Sequence, residues 1–288
     1  MSFCLSGYGL PLTYVGALGY PNVHPVFEGL NDKANVYSFS QPGLTDAIEF
    51  EDGKLMLGKH GTLRDVDLEH LAERIGLPTF DQLAASAKLI GIVNWTMLPK
   101  FNSIWDHLID HLPKGDRRVF VDLADPEKRT TEDLLGAMKL CTKTQEKASL
   151  TLGLNLKESS QVAAALGIEI LGDPEPQIEH TARAIRETIQ VDTVVIHPRA
   201  GAAAASLEEG EVRTASFQGP LVTKPVLSTG AGDSFNAGFC VAQLAGLPID
   251  QALCAATASS GLYVRGEAGA TLERLAEFCD ELPPPAAG

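Results

Sequence analysis

LSTGAGDSFNAGFCVAQLAG, residues 227–246, is the stretch on which the reading of this chain turns. A Thr-Gly-Ala-Gly turn runs directly into a long helix rich in small residues. Gly230 and Gly232 let the backbone fold tightly and bring its amides close to a bulky anion, and a helix N-terminus adds partial positive charge. Asp233, in the first turn of that helix, is placed to accept a proton from an attacking hydroxyl. A purely structural explanation covers the same residues: Ser228 or Thr229 caps the helix, the glycines supply the turn, and Asp233 complements the helix dipole.

Upstream of this stretch the chain alternates. Strands KLIGIVNW (88–95), RRVFVDLA (117–124), ASLTLGLN (148–155) and TVVIHP (193–198) are separated by helical stretches over about 101–112, 131–144, 158–166 and 176–189. A polar hairpin centres on Glu208-Glu209-Gly210. Continuous apolar runs between amphipathic helices predict an α/β, doubly wound, mostly parallel sheet with helices on both faces, and such sheets bind ligands at the carboxyl ends of their strands. Further out, helices are expected at 66–75 and 79–87, PLTYVGALG (11–19) reads as a strand and loop, and 36–61 reads as short antiparallel strands with Pro-Gly and Asp-Gly turns. The expected division is an α/β body over 62–288, with 1–19 contributing a strand, and a small β lid over 20–61. The Pro-rich PPPAAG (283–288) reads as a tail.

Thr229, Gly230, Ala231, Gly232, Asp233, Phe235, Ala237 and Gly238 together resemble the signature of the ribokinase-like (PfkB) carbohydrate kinases. The resemblance implies an ATP-dependent kinase that phosphorylates a hydroxyl of a sugar or sugar-like molecule, with Gly230, Ala231 and Gly232 as anion hole and Asp233 as general base. Asn155-Leu156-Lys157-Glu158 resembles the family's Asn-x-x-Glu motif, which implies Asn155 at the nucleotide phosphates and Glu158 holding Mg²⁺ through water. A polar N-cap explains Asn155 equally well, and a solvated face explains Glu158. TVVIHPRAGAAAA (193–205) resembles the strand and turn on which base and ribose rest, which puts His197, Gly201 and Thr229 in the nucleotide site, although Pro198 or Arg199 replaces the family's first Gly. Ser259 falls on the matching last nucleotide-side helix, where a well-packed Ala/Ser face is the simpler account. Ala237, Gly238 and Ala242 would let their helix lie close on the sheet.

The departures from the family pattern are as informative. The expected opening strand, its hydroxyl-gripping aspartate and a Gly-Gly turn are missing, and LTYVGALG (12–19) resembles the strand that follows them. By comparison about 40 residues are absent, so the N-terminal strand region is expected to be missing, and a natural chain starting upstream of Met1 is favoured over a truncated member whose exposed sheet edge would cost many kcal/mol of burial. Substrate contacts are then sought at Asn94 and Trp95, Trp95 being either a sugar platform or a core residue, while Asp125 lines the cleft or forms an Asp-Pro turn. Leu227 replaces the aspartate of the monovalent-cation loop and argues against potassium binding through that side chain. A homodimer through the lid is implied by resemblance alone. The rivals are a nucleoside or vitamin-precursor kinase, and a non-catalytic nucleotide- or sugar-binding member.

The bulk numbers exclude other classes. A net charge of −14 over 288 residues argues against a nucleic-acid partner, whose binding needs Lys and Arg on phosphates. It does not exclude ATP, which needs only local amides and a metal ion. No apolar stretch reaches the roughly 18 residues of a membrane span, no basic leader precedes an apolar run, and five cysteines without metal-ligand spacing suggest neither zinc nor a disulfide framework. The expectation is a cytoplasmic protein with no membrane partner.

Overall fold

The computed structural model describes residues 1–50, 53–219, 222 and 224–283, and groups the chain into two units: Met1–Pro11, Ala87–Val93 and Lys114–Gly288 in one, Leu12–Ser86 and Asn94–Pro113 in the other. Residues 62–86 and 94–113 thus group with the smaller unit, whereas the sequence division drew its line at 61. Asp52 of the expected Asp-Gly turn and Pro284–Gly288 of the tail lie outside the described residues.

After helix α1 (Ser2–Gly7) of the larger unit, the chain enters the smaller one. This unit holds β1 (Thr13–Gly16), α2 (Glu28–Asn31), β2 (Asn35–Ser38), β3 (Leu44–Phe50), β4 (Gly53–Lys59), α3 (Leu68–Arg74), α4 (Leu77–Ser86) and α5 (Asn102–His111). Strands β3 and β4 form the expected antiparallel pair, but β2 instead lies parallel to β1 in a separate two-stranded sheet. The strand expected from residues 1–19 therefore does not join the large sheet. Packing explains the choice: Val15 and Ala17 lie on a cluster of Phe39, Leu63, Val66, Leu71 and Ile104, so pairing β1 with β2 buries Phe39 at the end of β2.

The larger unit contains β5 (Leu89–Val93), β6 (Arg118–Asp122), α6 (Thr131–Gln145), β7 (Ser149–Asn155), α7 (Leu156–Ala165), α8 (Ile178–Ile189), β8 (Thr193–His197), β9 (Gly201–Glu208), β10 (Glu211–Gln218), α9 (Ala231–Leu244), α10 (Ile249–Val264) and α11 (Leu272–Asp280). They build one six-stranded sheet in the order β10-β9-β8-β7-β6-β5, with β5 to β8 parallel and β9 and β10 antiparallel. Strand alternation then assigns the faces. Phe120, Val195, Ala202 and Ala204 share a core with Phe235, Ala237, Phe239 and Leu253 of α9 and α10, while α6, α7 and α8 pack on β7, β8 and β9. Ala202–Ala205 are all buried; four small side chains in a row let helices approach β9 closely from both sides.

Two glycines set the seat of α9. A Cβ on Gly153 of β7 would stand 2.5 Å from the Phe120 ring and 3.4 Å from Asn236 Oδ1. One on Gly238 would stand 2.6 Å from Ser259 Cβ and 2.7 Å from the Ala255 carbonyl. Gly238 thus permits a close crossing of α9 over α10, where the sequence reading had it facing the sheet.

Candidate active site

The same alternation that buries Phe120 brings polar residues under the start of α9. Residues 120 and 122 of β6, 151, 153 and 155 of β7, and 193, 195 and 197 of β8 project toward the α9 face, and the ladder sets Asp122 beside Gly153 and Asn155 beside His197. Three neighbouring parallel strands therefore present Asp122, Asn155 and His197 at their carboxyl ends.

Helix α9 descends onto this row. Its N-cap, Gly230, has φ +103° and ψ −3°, a left-handed conformation, and no side chain caps the helix. The amides of Gly232 and Asp233 fall in the first turn, where no intrahelical acceptor exists. Ala231 N–H is bonded weakly to the Ser228 carbonyl at 3.3 Å. Asp233 is 53% exposed, with Oδ1 2.9 Å from the Met1 ammonium. Gly230, Ala231, Gly232 and Asp233 thus stand together, as does Thr229, whose carbonyl accepts a bond from the Tyr263 hydroxyl at 2.7 Å.

His197 lies under the same turn. Its ring is 4.6 Å from that of Phe235, and its Cε1 would be 3.3 Å from a Cβ on Gly232. Desolvation pushes its pKa down to about 4, so the imidazole is neutral near pH 7.

Asn155 and Glu158 form a capping box at the start of α7. Asn155 Oδ1 accepts from Glu158 N–H at 2.9 Å and Glu158 Oε2 accepts from Asn155 N–H at 2.9 Å. Glu158 does not face solvent; it is 5% exposed, and its Oε1 accepts from Asp125 N–H at 2.8 Å. One carboxylate therefore holds both its own helix start and the loop after β6. That loop takes two consecutive left-handed turns, at Ala124 (φ 59°) and Asp125 (φ 66°), and ion pairs from Asp125 to Lys128 and Lys157 span 3.0 and 3.5 Å.

Asp122 was not singled out from sequence. Its Oδ1 accepts from Ala124 N–H at 2.9 Å and its Oδ2 from Asn236 Nδ2 at 2.7 Å. Burial, reinforced by the negative charges of Glu158 and Asp233, raises its pKa to about 7. The available signal was an aspartate closing an apolar strand at its carboxyl end.

Three expected residues have other duties. Ser259 is 3% exposed; its hydroxyl donates to the Ser234 carbonyl at 2.5 Å and meets Tyr8 Oη at 2.6 Å, inside the packing of α1, α9 and α10. Trp95 is fully buried with its indole N–H donating to Asn102 at 2.7 Å, so it presents no open face to a sugar. Gly201 opens the β9–β10 hairpin, where a Cβ would lie 2.5 Å from the Phe217 carbonyl, a packing requirement. Asn94 is exposed, at φ 64°.

The donor set suits a hard divalent cation. Glu158 and Asp233 stand near enough for their charges to raise the Asp122 pKa, and carboxylate oxygens are the donors such a cation takes. Among the described residues no three His, Cys, Asp or Glu side chains gather as a ready metal cage.

A doubly wound sheet with a bare, glycine-started helix and an aspartate in its first turn is the arrangement expected of a ribokinase-like (PfkB) carbohydrate kinase, a phosphotransferase with an alcohol acceptor. A sequence model of the family described as prokaryotic ketohexokinase matches residues 2–282, and the chain belongs to that family. It is 27% identical over 268 residues to a ketohexokinase of Haloferax volcanii, covering 92% of this chain and 69% of the relative. The fold is that of Arabidopsis thaliana ribokinase complexed with ribose and ATP (TM-score 0.71, 19% identity, 96% of this chain and 85% of the other). Adenosine kinase from Schistosoma mansoni shares it too, at TM-score 0.71, 14% identity and coverage of 93% and 79%.

Proposed function

We propose that this chain transfers the γ-phosphoryl group of ATP to a hydroxyl of a ketohexose, with Asp233 as general base. The observation that carries the reading is the uncapped start of α9: a left-handed Gly230, first-turn amides at Gly232 and Asp233 with no partner among the described residues, and an exposed carboxylate at one place. As the acceptor oxygen bonds to phosphorus, Asp233 takes its proton and the bond from phosphorus to the β–γ bridging oxygen breaks, leaving ADP. The Gly230–Gly232 amides and the helix dipole stabilise charge on the transferring oxygens and on the β-phosphate that stays with ADP. Mg²⁺, when bound, neutralises phosphate charge; Asp122 and Glu158 would hold it, chiefly through water, because each Glu158 oxygen already accepts a backbone N–H. Neutral His197 supports the cradle from below without adding charge. The ketohexose assignment follows the family and the Haloferax volcanii relative.

Leu227 has no ligand atom, so its side chain cannot hold a monovalent cation, and no strong potassium dependence is expected. Rates in potassium and sodium buffers should agree within about twofold. A reducing, cytoplasmic setting suits five free cysteines, and no helix among the described residues is long and apolar enough to cross a membrane. The exposed apolar hairpin β3–β4 is the candidate surface for a homodimer.

The test is a panel of ketohexoses, aldoses and nucleosides with Mg²⁺-ATP, following ADP release. Turnover is expected with fructose or another ketohexose, and Asp233→Asn should lower kcat by about 10²–10⁴-fold with little change in ATP affinity. Turnover with nucleosides alone, or full activity in the variant, contradicts the reading.

A further inference from the structure

We propose that Tyr263, near the end of α10, is a positioning residue for the phosphate cradle: its hydroxyl fixes the peptide between Thr229 and Gly230 and so aims the Gly230 amide. The inference rests on the reading of Gly230–Gly232 as an anion hole. Tyr263 Oη donates to the Thr229 carbonyl at 2.7 Å, and the same oxygen is 2.5 Å from where a Cβ on Gly230 would stand. One residue on, the Val264 carbonyl accepts from Val226 N–H at 2.9 Å. The segment entering the cradle is thus held on α10 by a main-chain bond at one end and the tyrosine hydroxyl at the other.

Peptide geometry gives that hydroxyl its leverage. In a planar trans peptide the C=O and the following N–H point in opposite directions. Holding the Thr229 oxygen toward Tyr263 therefore turns the Gly230 N–H away from α10. Glycine at φ +103° rotates about its neighbouring peptide at little steric cost, and α9 has no side-chain cap to oppose such a rotation. A glycine is needed here because any side chain would strike Tyr263, yet its freedom would scatter the donors without a restraint. Tyr263 supplies both the wall and the restraint.

Tyr263→Phe keeps the ring and removes only the donor. The dissociation constants of ADP and AMP, measured by calorimetry with Mg²⁺, separate the cradle from the rest of the nucleotide site, because AMP lacks the phosphate that the cradle would hold. The variant should bind ADP about 3- to 10-fold more weakly, the loss of one hydrogen bond, while AMP affinity changes less than about twofold and the melting temperature less than about 3 °C. A merely structural tyrosine would lower the melting temperature and leave the ADP-to-AMP affinity ratio untouched; an unchanged ratio overturns the proposal. Should the wild type fail to turn over any sugar while the ratio still falls in the variant, the kinase reading is lost and the positioning role stands. A wild type that binds ADP no better than AMP defeats both.

Discussion

Burial beneath α9 penalises the ionised form of both Asp122 and His197, and so moves their pKa values in opposite directions. Asp122 rises from 3.8 to about 7, so between those values the folded protein binds more protons than the unfolded chain, and stability falls as pH rises through the window. His197 falls from 6.5 to about 4; there the unfolded chain binds more protons, and stability is lost as pH drops through the window. Across the overlap the two slopes offset. Asp122→Asn should therefore expose the histidine's contribution, with stability rising from about pH 4.5 to 6.5 by up to about 1.4 kcal/mol per unit. His197→Asn should leave the falling slope. Urea midpoints of the wild type and both variants at three pH values decide it, and three parallel curves would show that the charges are not suppressed in the fold.

Helix α9 depends on contact distances that a single methyl group would disturb, and the same substitution in two helices measures this. Gly238→Ala drives a Cβ into α10, within 2.6 Å of Ser259 Cβ, and should cost about 1–3 kcal/mol through overpacking. Gly136→Ala in α6 meets nothing within 4 Å and should stabilise by about 0.4–1 kcal/mol through helix propensity and a less flexible unfolded chain. Thermal melts that order the two variants the other way would mean that the α9–α10 crossing is loose. The alternation of strands and helices in the body was legible in sequence because hydrophobic period and turn chemistry are local, and so was the glycine turn before Asp233. Asn155 and Glu158 were visible as a pair, but their two readings could not be separated, and the fold gives both a capping role while burying Glu158. What remained hidden depends on distant partners: Asp122 needs Asn236, Ser259 needs Tyr8, Trp95 needs its enclosure, and the β1–β2 pairing needs a core assembled from α3 and α5.

The hairpin β3–β4 is the surface on which the proposed homodimer is tested. Its register places Ile48 opposite Leu55, Asp46 opposite Leu57 and Leu44 opposite Lys59, so Leu44, Ile48, Phe50, Leu55 and Leu57 share one face, each 44–60% exposed. A two-stranded ribbon is marginal alone in water, and an apolar face of this kind marks an association surface. In the proposed homodimer a two-fold axis would bury the same face on both chains. Net charge opposes this, because each copy carries −14 and the repulsion is screened only where the Debye length is short. Dimer should therefore dominate at about 150 mM salt, where the Debye length is about 8 Å, and weaken at about 10 mM, where it is about 30 Å. Ile48→Glu places a charge at the centre of the face and should yield monomer at the higher salt with the melting temperature of the larger unit unchanged. Sedimentation velocity reads the mass directly: a wild type that stays monomeric at both salts, or a variant that still dimerises, would mean that some other surface, or none, brings two chains together.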